Sequence, residues 1–205
     1  MPPVPPRWET LPCDDAATAR LAAELSLPPI VAKLLCQRGF SDPEAASRFL
    51  NPSLDQLHDP MMLAGMSTAV DRILGAIARK ERIAIHGDYD VDGVTSTVIL
   101  RRALELLGAD VGHFIPERMR DGYGLQPASV DRLHADGAVL IISVDCGIRG
   151  ADAARRAREL GVDLIITDHH EPDDALPPAL AVINPKRFDC SYPDKYLAGV
   201  GVALK

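Results

Sequence analysis

An α/β fold, a doubly wound and mainly parallel sheet behind a small helical segment, is predicted for this 205-residue chain by three observations. From residue 82 onward, short runs of Val, Ile and Leu alternate with helical segments. Those runs are continuously apolar, as in strands covered on both faces, rather than alternating. The first 80 residues, by contrast, carry only helical periodicity. With 47% hydrophobic and 25% charged residues the chain has ample material for a core.

The elements follow in order. "ATARLAAELSL", "PPIVAKLLCQRG" with Gly39 at its end, and "DPEAASRFL" are short helices. "MSTAVDRILGAIARK" is a fourth, with Met66, Val70, Ile73, Leu74 and Ile77 on one face. The domains expected are a helical leader over 1–80 and an α/β domain over 81–205. Within the latter, "RIAIHG", "VGHFI", "VLIISVD", "DLIITD" and "ALAVIN" read as strands. Between them "TSTVILRRALELLG", "PASVDRLHADG" and "ADAARRARELG" read as helices. The proline-rich opening and the single tryptophan, Trp8, belong to neither texture.

Composition excludes several classes. No apolar run approaches the roughly 18 residues of a membrane span, and "MPPVPPRWET" lacks the apolar core of a signal peptide. Cys13, Cys36, Cys146 and Cys190 form no CxxC pair, which fits a reducing cytoplasm better than a disulfide framework. A net charge of −7 and 4% aromatics argue against a general nucleic-acid coat.

In open α/β sheets ligands bind beyond the carboxyl ends of the strands, so strand ends locate the site. The first strand ends in "HGDYDVDG", bringing His86, Asp88, Asp90 and Asp92. The third ends at Asp145 and the fourth at Asp168, His169, His170 and Glu171. Carboxylates gathered at one edge repel unless a cation compensates them, and oxygen with imidazole ligands suits Mn²⁺ or Mg²⁺. So many candidate ligands have room for two ions, the arrangement that activates water and clamps the attacking and leaving oxygens of a phosphoryl displacement. Period-two spacing puts Asp88, Asp90 and Asp92 on one side of an extended segment, with a helix starting near Val94. "DYDVDG" also opens like a calcium loop, but Ile99 stands where that loop needs Glu and the preceding segment is a strand. Helix capping accounts for one or two of the acids, not for His86, Asp145 and His169 as well. His58, His113 and His134 stand alone, and Cys146 reads as a small buried residue.

"HGDYDVDGVTST", "SVDCG" and "TDHHEP" resemble the first three motifs of the DHH phosphoesterases, whose Asp-His-His triplet falls on Asp168, His169 and His170. The leader, "HFIPERMRDGYGL" and "LAGVGVALK" resemble, within that family, the RecJ group of bacterial single-strand-specific 5′→3′ DNA exonucleases. The resemblance implies His86, Asp90, Asp92, Asp145 and His169 as ligands of two Mn²⁺ or Mg²⁺ ions, with Asp145 bridging them. It leaves Asp88 open between a ligand and a carboxylate behind the ligands. It implies that His170 contacts the scissile phosphate and that Asp168 orients a histidine. Arg118 is the candidate phosphate-binding arginine. Tyr123 stacks on a base or packs its own loop, and Gly199 and Gly201 form either a turn near the phosphate or a plain turn. The catalytic set is therefore Asp90, Asp92, Asp145, His169 and His170.

The resemblance further implies single-stranded DNA with a 5′ end as substrate, repair or recombination proteins as partners, and a cytoplasmic location without membrane. RecJ-like chains continue past Lys205 through a further metal-site aspartate and a second lobe, so partial metal binding and weak or absent nuclease activity are expected of this piece. Other DHH enzymes, such as oligoribonucleases, cyclic-dinucleotide phosphodiesterases and inorganic pyrophosphatases, share the three motifs. A non-catalytic RecJ-like binding protein is the remaining alternative.

Overall fold

The structure is a computed structural model that describes Glu9 and residues 11–205; the proline-rich opening and Trp8 lie outside the described residues. Two compact units follow, one ending at Leu57 and one running from His58 to Lys205. The first holds helices α1 (Asp15–Glu24), α2 (Pro29–Gln37) and α3 (Pro43–Leu50). Asp14 caps α1 and Asp42 caps α3 through amides of the first turn, and Pro29 and Pro43 occupy first helical positions where no N–H is needed. Leu21, Ala32, Leu35 and Ala46 form a small core of their own.

The second unit runs α4 (Met66–Arg79), β1 (Ile83–His86), α5 (Val91–Leu106), β2 (Val111–Phe114), α6 (Arg118–Asp121), α7 (Pro127–Ala135), β3 (Leu140–Val144), α8 (Ala151–Glu159), β4 (Asp163–Thr167), β5 (Ala181–Ile183) and α9 (Gly199–Leu204). The five strands form one parallel sheet in the order β2-β1-β3-β4-β5, with Ile85 level with His113 and Ile142. The strand order reverses between β1 and β3, which places a crevice at their carboxyl ends.

Both faces are covered, as the apolar strands require. Ile83, Ile85, Ile142 and Ile165 pack with α4, α5 and α9 on one side, where Met66, Ala76, Leu104 and Val202 are buried. Ala84, Ile141, Leu164 and Ile166 pack on the other with Val130 and Leu133 of α7 and the alanines of α8. Helix α4, expected in the leader, thus lies with the sheet, because its apolar stripe has the sheet to bury against. That stripe is Met66, Ala69, Val70, Ile73, Ala76 and Ile77. Leu74, expected on the same face, points outward and is 52% exposed. Among the described residues no single helix is long and apolar enough to cross a membrane.

The segment after β1 also departs from expectation. Helix α5 starts at Val91, not near Val94, because the Asp90 carboxylate accepts from the amides of Asp92 and Gly93 at 2.9 and 3.0 Å. Asp88, Asp90 and Asp92 therefore do not line one side of an extended segment; they are a buried loop acid, an N-cap and a first-turn residue. Gly93 makes this tight entry possible, since a Cβ there would lie 2.5 Å from the Asp88 amide nitrogen and 2.6 Å from its Cα. Gly93→Ala is expected to cost about 3 kcal/mol by forcing the backbone at Asp88 outward, read as a lower urea midpoint. An unchanged midpoint would show that the turn yields without cost.

Candidate metal centre

Each strand end delivers its side chain where the parallel register dictates. His86 closes β1 and is fully buried, its ring against Phe114 at 5.6 Å between centroids. Burial pulls its pKa down to about 4, so the imidazole is neutral at physiological pH. Its Nδ1 lies 3.5 Å from the Cys146 Sγ, and its Nε2 has no hydrogen-bond partner among the described residues. Asp88, next on the chain and 3% exposed, accepts from the Tyr89 amide at 2.6 Å, and burial raises its pKa.

Asp145 follows β3 in the left-handed region, φ 61°, a conformation uncommon outside glycine, Asn and Asp. Its amide donates to the Thr167 carbonyl, which fixes the turn against β4. The carboxyl is 1% exposed, and burial together with the charges of Asp92 and Asp90 pushes its pKa up to about 8. Its Oδ1 sits 3.1 Å from His169 Nε2, yet the pair is not aligned as a hydrogen bond and that oxygen has no donor. His169 Nε2 is also 3.6 Å from Asp92 Oδ2.

Asp92 reaches in from α5, and both its oxygens are engaged: Oδ2 accepts from the Gly199 amide at 2.7 Å and Oδ1 from the Val200 amide at 2.6 Å. The first turn of α9 is thereby tied to the acid. Gly199 is pressed so closely on the Asp145 carboxylate that a Cβ there would collide with it. At Gly201, paired with it in the sequence reading, a Cβ would come no nearer than 3.4 Å to the Leu197 side chain.

Asp168, buried after β4, accepts from the amides of Ile148, His169 and His170 and from His170 Nδ1 at 2.7 Å. Burial opposes its ionisation, but the His170 imidazole and these amides outweigh burial and lower its pKa. Asp168 correspondingly raises the pKa of His170, which keeps that imidazole cationic to higher pH. Asp145, His169 and His170 bring one ligand atom each to within 4.8 Å of one another. Asp90 is exposed at the rim.

Beside this cluster opens a cavity of about 540 Å³, lined by Tyr123, Ile148, Asp168, His170 and Lys186 among others. Tyr123 is 59% exposed, with its ring edge-on to that of Tyr89, 6.4 Å between centroids. The Arg118 guanidinium lies 5.6 Å over the other end of this pair, on the Tyr89 ring.

Two residues and one contact of Cys146, itself read as a small buried residue, escaped the sequence reading. Tyr89 joins Arg118 to Tyr123 and sits between two of the acids. Asn184, buried at the end of β5, donates to the His170 carbonyl at 2.9 Å and holds its loop; the strand-end rule, applied to "AVIN", would have found it. Cys146 contacts a histidine 60 positions away, which no spacing could signal.

The side chains fit a divalent cation. Buried, unpartnered Asp145 Oδ1 and His86 Nε2 are each short of an electrophile, and carboxylate with imidazole donors suit Mn²⁺ or Mg²⁺. Cys146 offers no competing thiolate, since burial raises its pKa well above the ordinary range.

Comparison with known proteins agrees with this geometry. Residues 82–205 match the model of the DHH family, N-terminal domain. The chain is 45% identical over 199 residues to the single-stranded-DNA-specific exonuclease RecJ of Bacillus subtilis, covering 97% of this chain and 25% of that one. It is 43% identical to the Escherichia coli protein of the same name, covering 91% and 32%. The chain thus spans a quarter to a third of the length of these relatives. It also resembles the crystal structure of RecJ in complex with Mn²⁺ from Thermus thermophilus, with TM-score 0.71, 36% identity, and 92% and 26% of the two chains covered. A second structure, exonuclease RecJ bound to manganese, gives TM-score 0.65 and 40% identity over 72% of this chain and 37% of that one. The family model covers more than half of the chain and the relatives are 43–45% identical over nearly all of it: the chain belongs to the DHH family.

Proposed function

We propose that this chain is the catalytic DHH portion, with α4 packed on its sheet and a helical leader preceding it in sequence, of a metal-dependent exonuclease that hydrolyses single-stranded DNA from its 5′ end. One observation carries the reading. Asp145 presents a buried, unpartnered carboxylate oxygen toward His169 at the switch point of a parallel sheet. The named relatives supply the substrate class.

His86, Asp90, Asp92, Asp145 and His169 would hold Mn²⁺ or Mg²⁺, with Asp88 in reserve behind them. The ions, when bound, supply an activated water and charge neutralisation at the phosphate. His170, held by Asp168, whose carboxylate raises its pKa, faces the scissile phosphate and stabilises the charge that builds on its oxygens. Arg118 contributes a further positive charge for phosphate, and Tyr123 gives a face for a base. Gly199 acts by holding Asp92 and leaving room for Asp145; Gly201 only closes its turn. The protein would work in the cytoplasm, with single-stranded DNA and other repair or recombination proteins as partners.

The test is digestion of single-stranded DNA labelled at either end by the full-length gene product with Mn²⁺. Mononucleotides released from 5′ ends, and lost in Asp145→Asn, are expected. Preferential cleavage of short RNA or cyclic dinucleotides would reassign the enzyme within the family, and DNA binding without cleavage would make it a binding protein.

A further inference from the structure

The contact between Cys146 and His86 has no part in the reading above. Cys146 is 3% exposed and fixed by its backbone, whose carbonyl accepts from the Ser143 hydroxyl at 2.9 Å. Its Sγ lies 3.5 Å from His86 Nδ1 and 3.9 Å from the His86 carbonyl oxygen. A thiol has one proton to give and a sulfur that accepts, and a neutral imidazole has one ring proton. Two arrangements are therefore open to the pair.

If the thiol gives its proton to Nδ1, the ring proton must sit on Nε2. That N–H would then be a buried donor without an acceptor, which folded proteins avoid more strictly than a buried acceptor without a donor. If instead the thiol points to the His86 carbonyl, sulfur accepts from Nδ1–H, and Nε2 is left with a bare lone pair. A cation satisfies a lone pair, whereas none of the described residues offers an acceptor to an N–H there. We propose that Cys146 is a positioning residue that fixes His86 as its Nδ1–H tautomer, so that Nε2 is free to bind a divalent ion. Metal-bound histidines as a class have their second nitrogen held by an acceptor, usually oxygen; here sulfur takes that place. The inference rests on His86 being a metal ligand.

Nitrogen-15 NMR of the histidine rings in the metal-free 205-residue chain reads the tautomer directly, and Mn²⁺ calorimetry reads its consequence. The expected wild-type result is a protonated Nδ1 on His86. Cys146→Ala is expected to move the proton toward Nε2 and weaken Mn²⁺ binding about tenfold, and Cys146→Ser, whose hydroxyl can accept from Nδ1, to restore both. Wild-type His86 carrying its proton on Nε2 overturns the inference whether or not the variants fold, as does an unchanged tautomer in Cys146→Ala. A wild-type chain with the Nδ1–H tautomer that binds no Mn²⁺ upholds the hold of the thiol on His86 and brings down the metal reading instead.

Discussion

Asp145→Asn is expected to weaken Mn²⁺ binding at least about 100-fold and, at the same time, to make the metal-free protein more stable. The two effects have one cause. Asp145 is buried with an oxygen that no donor satisfies, and its pKa is pushed up to about 8. An unfolded chain ionises this carboxyl near its ordinary value of 3.8, while the folded one keeps it protonated. Folding stability therefore falls as pH rises from about 4 to about 8, and the loss is complete above that window. Asparagine carries no charge to bury and tolerates the left-handed backbone of this position. Melting curves should coincide near pH 4 and separate by roughly 4–8 °C in favour of the variant at pH 8. A variant less stable than wild type at pH 8 would show that Asp145 has a hydrogen-bonding role in the metal-free fold.

Mn²⁺ binding by the wild-type chain should strengthen about tenfold per pH unit from about pH 6 to pH 8 and then level off, with one proton released per ion. Asp145 must shed its proton before it can act as a ligand, and its raised pKa sets the upper end of the window. His86, at about 4, is already neutral across that range and adds no slope. Calorimetry in buffers of different ionisation heat counts the proton. A flat profile would mean that the cation avoids Asp145.

Much of this was legible in the sequence because parallel strands leave a simple record. "VLIISVD" and "DLIITD" are apolar throughout since both sheet faces are covered, and the polar residue that ends each run sits at the crevice. The acids after β1 were harder: capping and period-two spacing make the same pattern of Asp88, Asp90 and Asp92, and only the amides that Asp90 collects decide for the helix. The contact of Cys146 with His86, the place of Tyr89 between Arg118 and Tyr123, and the packing of Gly199 on Asp145 were out of reach, because they are pairings between distant segments. For the same reason α4 read as leader, its partner being a sheet that begins after it.

The two amides that Gly199 and Val200 give to Asp92 join positions 107 and 108 residues apart. At roughly 5–20 residues per second, a ribosome that has just placed Asp92 works for about 5–20 seconds more before the donors exist. Until then the nascent chain carries a cluster of acids with no scaffold to hold them. The hold on Asp92 can close only once the first turn of α9 has followed the sheet, so these acids reach their final arrangement late in the synthesis of this unit.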